Sequence, residues 1–99
     1  MVQIRWTNLA VKDLNNIFEY ISVDSIYYAK IQILKLKLRT RILKSHPFSG
    51  KIVSEYKQES FRELIDGNYR IIYKVVNQNQ IDILTIHHTY RDLGRRDII

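Results

Sequence analysis

Apolar and polar positions follow two rhythms along this chain. Between residues 61 and 88 they alternate with a period of two, the signature of half-buried strands. Phe61, Glu63 and Ile65 fall on one side of a strand and Arg62 and Leu64 on the other. Asp66-Gly67-Asn68 is a hairpin signal, because Gly and Asn tolerate the positive φ of tight turns. Tyr69 to Val76 is dense in aromatic and β-branched residues, which favour strands. Asn77 to Gln80 gives a second polar turn, and Ile81 to His88 a third strand. The pattern predicts a three-stranded antiparallel meander.

The first half has the helical rhythm, after a short strand from Val2 to Trp6. Thr7 or Asn8 is placed to cap a helix by accepting a backbone N–H. Ala10, Leu14, Ile17, Phe18 and Ile21 then lie on one helix face. Ser22 to Ser25 interrupts the rhythm, and Asp24 or Ser25 caps a second helix expected from Ile26 to Lys44. Ile26, Ala29, Ile33, Leu36 and Leu43 form one stripe of that helix, and Tyr27, Ile31, Leu34, Leu38 and Ile42 an adjoining one. Together they predict a face broad enough to pack on both the first helix and the sheet. His46-Pro47-Phe48-Ser49-Gly50 ends the helix, since proline disfavours helical geometry in the residue before it. Residues 52–60 read as a polar connection. The predicted order is β-α-α-β-β-β: a helical hairpin packed on a small, mostly antiparallel sheet, in one α+β domain spanning residues 1–99. Trp6, at the strand–helix junction, is expected to pack near the hairpin.

Charge changes this picture more than overall composition does. The net charge is +6. Residues 25–54 hold seven basic residues (Lys30, Lys35, Lys37, Arg39, Arg41, Lys44 and Lys51) and no acid, whereas the flanking segments nearly balance. Such a block suits a polyanionic partner, or a solvated helix face. There are no cysteines, which excludes disulfides, thiolate metal sites and a cysteine nucleophile. No apolar run reaches roughly 18 residues and the N-terminus is polar, so neither a membrane span nor a signal peptide is expected. A cytoplasmic location follows as the expectation.

No glycine-rich phosphate loop is present. His87 and His88 are adjacent, and neighbours on a strand point to opposite faces, which argues against a shared metal. Neither a metal nor a cofactor is expected. The remaining candidates are Arg62, Arg70, Tyr73, His88, Tyr90 and Arg91, on or beside the meander. Arginine holds a phosphate bidentately, and histidine or tyrosine moves a proton or stacks on a base. Packing is the alternative for Tyr69 and Tyr73. Cross-strand pairing is the alternative for Arg62 and Glu63. His88 shares the parity of Leu84 and Ile86, so a core histidine is its alternative. Arg70 shares parity with Ile72 and Lys74, which suggests a less buried face.

Five segments resemble one family. These are W-T-x-x-A-x-x-D-L-x-x-I-x-x-Y-I from Trp6 to Ile21, D-S-x-x-Y-A from Asp24 to Ala29, and H-P-x-S-G from His46 to Gly50. R-E-L-I-x-G-N-Y-R-I-I-Y-K-V spans Arg62 to Val75, and I-L-x-I-H-H-x-x-R-D-L spans Ile83 to Leu93. In this order and spacing they are similar to the RelE/ParE superfamily of toxins from type II toxin–antitoxin pairs. The resemblance implies the same β-α-α-β-β-β topology and an antitoxin that wraps and blocks the toxin.

The superfamily has two main activities. RelE-like members cleave mRNA in the ribosomal A site, and ParE-like members inhibit DNA gyrase. For a RelE-like nuclease the resemblance implies Arg70 as the phosphate-stabilising arginine. It places Glu55 near a general base and Tyr90 near the C-terminal tyrosine. Thr89 stands where some nucleases carry a general-acid histidine, with His88 one place earlier. The helical hairpin and the H-x-x-R-D-L ending are closer to ParE. The expectation is therefore a ParE-like toxin of the plasmid-stabilisation type, directed at gyrase. The alternative is a ribosome-dependent mRNA interferase using Arg70 with Glu55, His88 or Tyr90. A third possibility is a decayed toxin that still binds its antitoxin. Arg62, Tyr73, Arg91 and the basic residues Lys35, Lys37, Arg39, Arg41 and Lys44 are the candidate binding residues.

Overall fold

The computed structural model describes residues 2–89. Strand β1 (Gln3–Trp6) leads into helices α1 (Asn8–Ser22) and α2 (Ile26–Arg39). Strands β2 (Lys51–Ile52), β3 (Phe61–Asp66), β4 (Tyr69–Asn77) and β5 (Gln80–His88) follow. The five strands form one mixed sheet in the order β1-β5-β4-β3-β2. Strands β2 to β5 pair antiparallel, as the alternation implies, and β1 lies parallel to β5 with Ile4 opposite Ile81. The α+β order expected from the pattern is present, with β2 added. Only Lys51 and Ile52 pair there, opposite Glu63 and Arg62, too short a segment for alternation to register.

Local chemistry sets the element ends. Thr7 caps α1 by accepting from the Ala10 N–H at 3.2 Å, and its hydroxyl donates to the Ile83 carbonyl at 2.9 Å. One side chain thus starts the helix and fastens it to β5. Ser25 caps α2 through the Tyr28 N–H at 3.2 Å. The expected helix to Lys44 is shorter: α2 stops at Arg39 and residues Thr40–Lys44 form a 3-10 turn. Thr40 Oγ1 donates to the Lys37 carbonyl at 2.7 Å, and such local bonds compete with regular helical ones. Gly67, at φ 57, makes the β3–β4 turn.

The helices cover one sheet face. Ala10, Leu14, Leu36 and Leu43 pack there on Leu64, Ile71, Tyr73, Ile81, Ile83 and Ile86, and Trp6 and Ile17 flank this core. Trp6 also lines a cleft with Leu38 and Thr40 near the end of α2, and its packing on the core beneath the hairpin is as expected of it. On the other face Val53, Phe61 and Ile72 form a smaller cluster joined by Leu84 and Tyr56.

Two expectations about side-chain placement need correction. Only one stripe of α2 is buried: Ala29 and Leu36 are inaccessible, whereas Tyr27, Leu34, Leu38 and Ile42 are 69%, 57%, 48% and 43% exposed. At about 100° per residue the second stripe lies across the helix from Leu36, so a single layer below cannot reach it. Ile26, assigned to the buried stripe, is itself 59% exposed at the first turn. The second correction concerns β5. Ile72 faces Thr85 and Tyr73 faces Ile83, so Leu84 is an extra residue in the ladder. Such a bulge breaks the period of two. Leu84 joins the smaller cluster while Ile86 joins the helix-side core. His87, at 0% exposure, is the fully buried histidine, and His88 is only partly covered.

Candidate functional site

The register of β3 on β4 sets Ile65 opposite Arg70 and Glu63 opposite Ile72. Residues opposite one another share a face, so Glu63 and Arg70 lie on the side away from the helices. Glu55 reaches the same place from the turn after β2. Val53, buried completely, pins that turn, and its carbonyl accepts from the Tyr56 and Lys57 N–H groups, both at 3.1 Å. Lys57 takes a φ of 53 there.

Two carboxylates enclose the Arg70 guanidinium. Nη1 donates to Glu55 Oε2 at 2.8 Å and Nη2 to Glu55 Oε1 at 2.9 Å, a bidentate pair. Nε donates to Glu63 Oε2 at 2.9 Å, and Nη2 meets the same oxygen. Lys51 Nζ approaches the other Glu63 oxygen at 3.5 Å. Two cations and two anions thus neutralise each other, with Arg70 12% and Glu63 4% exposed. The hydrogen bonds from Arg70 hold the Glu55 carboxyl down from an ordinary 4.5 to about 2. Those accepted by Glu55 and then Glu63 raise the arginine above its already high value.

Beside this clamp, the His46–Gly50 segment is strapped to the sheet. Tyr73 Oη donates to the Pro47 carbonyl at 2.8 Å and accepts from the Gly50 N–H at 3.0 Å. Burial pushes the Tyr73 phenol up, so it stays neutral. Arg62 donates to the carbonyls of Glu59 at 2.7 Å and Gly50 at 3.1 Å, and its guanidinium lies 5.0 Å from the Phe48 ring centroid. Gly50 cannot carry a side chain: a Cβ would sit 2.5 Å from the Glu63 carbonyl oxygen and 2.7 Å from Tyr73 Oη. Arg62 and Tyr73, candidates for binding, are engaged in holding this segment.

His88 lines a cleft of about 770 Å³ together with Asp13, Asn16, Tyr20, Asn68 and Tyr69. The Tyr69 ring meets the His88 ring edge-on at 5.8 Å. Asp13, at the cleft wall, accepts from the Ile86 N–H at 3.1 Å and from the Thr85 hydroxyl. This tie between α1 and β5 had no signal in the sequence beyond the aspartate itself. His88 lines the helix side of the sheet with Ile86, whereas the Arg70 clamp lies on the opposite face. Arg70 and Glu55 are brought together; Arg70 and His88 are not. Tyr90 and Arg91 lie outside the described residues. Among the described residues no group of three or more His, Cys, Asp or Glu side chains could hold a metal ion.

The family described as "ParE toxin of type II toxin-antitoxin system, parDE" matches residues 4–93. The chain belongs to the ParE toxin family. A solved structure titled "Chromosomal ParDE TA system from P. aeruginosa" shares the fold, with a TM-score of 0.72 at 20% identity, over 89% of this chain and 96% of that one. No curated protein matches the chain. Membership implies a cognate antitoxin as partner. No helix among the described residues of the toxin is long and apolar enough to cross a membrane.

The toxin's remaining candidates lie elsewhere. Lys35, Lys37, Arg39, Arg41 and Lys44 are exposed along α2 and the turn after it. Arg39 reaches the Ile65 carbonyl at 3.5 Å. Sequence reasoning missed Glu63 as part of the clamp. Its position on the Phe61 face was the available signal, because a carboxylate buried beside Phe61 needs a cation.

Proposed function

We propose that this toxin arrests growth by inhibiting DNA gyrase in the bacterial cytoplasm, catalyses no reaction of its own, and is neutralised by its cognate antitoxin. The family assignment supports the target. The enclosure of Arg70 by Glu55 and Glu63 is the observation that carries the non-catalytic reading.

A nuclease needs a fixed cation where charge grows on the phosphate in the transition state. Here two carboxylates of the same chain occupy the donors of Arg70. A phosphate approaching it would meet Glu55 and Glu63, whose charges repel an anion. A general base works best with a pKa near the working pH. Glu55, held at about 2, takes up a proton poorly at neutrality. His88 lies across the sheet from the guanidinium and does not complete a catalytic set with it.

The test is a supercoiling reaction with purified gyrase, relaxed plasmid and ATP, free of ribosomes. Added toxin should block supercoiling, and an equimolar amount of antitoxin should restore it. Undiminished supercoiling at micromolar toxin that still arrests growth on induction would move the target away from gyrase.

A further inference from the structure

Between residues 25 and 54 the chain carries seven cations and no acid. Elsewhere the fold pairs its charges: Arg5 with Asp82, and Arg70 with Glu55 and Glu63. Lys30, Lys37, Arg41 and Lys44 are exposed and make no ion pair among the described residues. Lys30 and Lys37 are seven residues apart, about two helical turns, so they fall on one flank of α2. Lys37, Arg41 and Lys44 surround a concave cleft of about 330 Å³ where the 3-10 turn meets β1. The four cations therefore form a row. Its length is about 24 Å, at 1.5 Å per residue in α2 and 2.0 Å in the 3-10 turn. Lys35 lies on the other flank, about 160° around the helix from Lys37.

The kind of charge selects the partner. Where this molecule grips a carboxylate with two hydrogen bonds it uses arginine, as Arg70 does for Glu55 and Arg5 for Asp82. The guanidinium fork matches a planar carboxylate. Three of the four cations in the row are lysines, compact point charges without that directional preference. A line of point charges is matched by a uniform line of phosphates. A row of this length runs beside about seven base pairs of duplex, at about 3.4 Å each. A flat anionic bilayer would leave the cleft between Lys37, Arg41 and Lys44 empty, whereas the rounded edge of a duplex backbone fits it. A second copy of this chain would set like charges against each other.

We propose that Lys30, Lys37, Arg41 and Lys44 form a sequence-independent binding site for the phosphate backbone of duplex DNA. The row displaces condensed counterions from the duplex, and their release drives association. Contacts to phosphate position a protein on DNA without reading its bases, so any duplex sequence serves. This inference goes beyond the gyrase reading. It gives the toxin its own contact with DNA, the substrate of its proposed target, and the binding does not depend on that target.

The experiment measures fluorescence anisotropy of a labelled duplex with purified toxin, at salt concentrations from about 50 to 200 mM. Four phosphate contacts predict a slope of about −3.6 for log affinity against log salt. Lys37→Ala/Arg41→Ala removes two of them. The slope should then flatten to about −1.8, and affinity at 0.1 M salt should fall about 60-fold. Lys12→Ala/Lys35→Ala removes the same charge at exposed positions outside the row, and should leave the slope unchanged. Thermal unfolding checks that both variants are folded, and the wild-type slope tests the site if one is not. Wild-type toxin that leaves the duplex free at about 100 µM in low salt, or binds it with no salt dependence, would overturn the proposal. Equal losses from the two pairs would reduce the row to net charge and overturn it as well. So would tighter binding to single-stranded RNA of the same length, or to phosphatidylglycerol vesicles with the duplex unbound. Supercoiling still blocked by a toxin that does not bind DNA would leave the gyrase reading standing.

Discussion

Arg70 and Arg41 carry the same guanidinium, and the chain surrounds them in opposite ways. Arg70 is 12% exposed and donates to two carboxylates. Arg41 is exposed on a segment with seven bases and no acid, and makes no ion pair among the described residues. The face away from the helices balances its charges internally. The outer face of α2 leaves both its cations and its apolar side chains unmatched. The difference teaches where to look for function. An arginine in a sheet suggests catalysis until its partners are counted. A helix with leucines on two sides suggests a deep core until exposure is counted. By both counts, the face away from the helices satisfies itself, and the outer face of α2 does not.

The largest expected effect separates the two arginines. Arg70→Ala leaves Glu63 buried with Lys51 as its one ion-pair partner among the described residues. Removing one partner of a buried pair costs about 3–5 kcal/mol. Arg41→Ala should stay within about 0.5 kcal/mol, as for ordinary surface changes. Equal melting temperatures for the two variants would break the comparison. The leucines give the second contrast. Leu36→Ala, at a fully buried site, should lose about 2–5 kcal/mol in denaturant unfolding. Leu38→Ala, at 48% exposure, should lose less than about 1 kcal/mol, since little of its area leaves water on folding.

Tyr73→Phe comes next. It strips the Gly50 N–H and the Pro47 carbonyl of a buried partner, at about 1–3 kcal/mol. Hydrogen exchange should rise across residues 47–50 first. The smallest effect is that of Glu55, whose side chain is 31% exposed. Its carboxyl is depressed from 4.5 to about 2 in the fold. The stabilisation is therefore present above about pH 4.5 and lost as pH falls toward 2. Solvent screening keeps it below about 1 kcal/mol. Glu55→Gln should lose that contribution of less than about 1 kcal/mol at pH 7, flatten the stability profile between those limits, and match wild type near pH 2. Arg5 holds Asp82 down in the same direction, so some acid sensitivity should remain in that variant.

Much of the fold was legible because its signals are local. Gly67 marks a turn by its backbone freedom, Thr7 or Asn8 and Asp24 or Ser25 mark helix starts by their side-chain oxygens, and Tyr69 to Val76 reads as a strand from its side chains. The misreadings involve tertiary context. Leu84 looks like its strand neighbours and becomes a bulge only through the pairing of β4 with β5. Leu34 and Leu38 have the spacing of buried residues, and nothing local says that the sheet lies on the other side of α2. Arg70 and Glu55 were singled out as candidates through resemblance. Their saturation of each other was not legible, because it depends on the turn that Val53 anchors. Glu63, the third member, passed as an ordinary strand residue.

Primer-extension mapping of transcripts on translating ribosomes tests the non-catalytic reading most directly. The samples are purified wild-type toxin and Arg70→Ala, the latter assayed below its lowered melting temperature. With Arg70 neutralised by Glu55 and Glu63, wild type should leave transcripts uncut at every codon, as the variant does. Codon-specific cuts by wild type that disappear in folded Arg70→Ala would contradict the account, and would show that the carboxylates release the guanidinium to the phosphate.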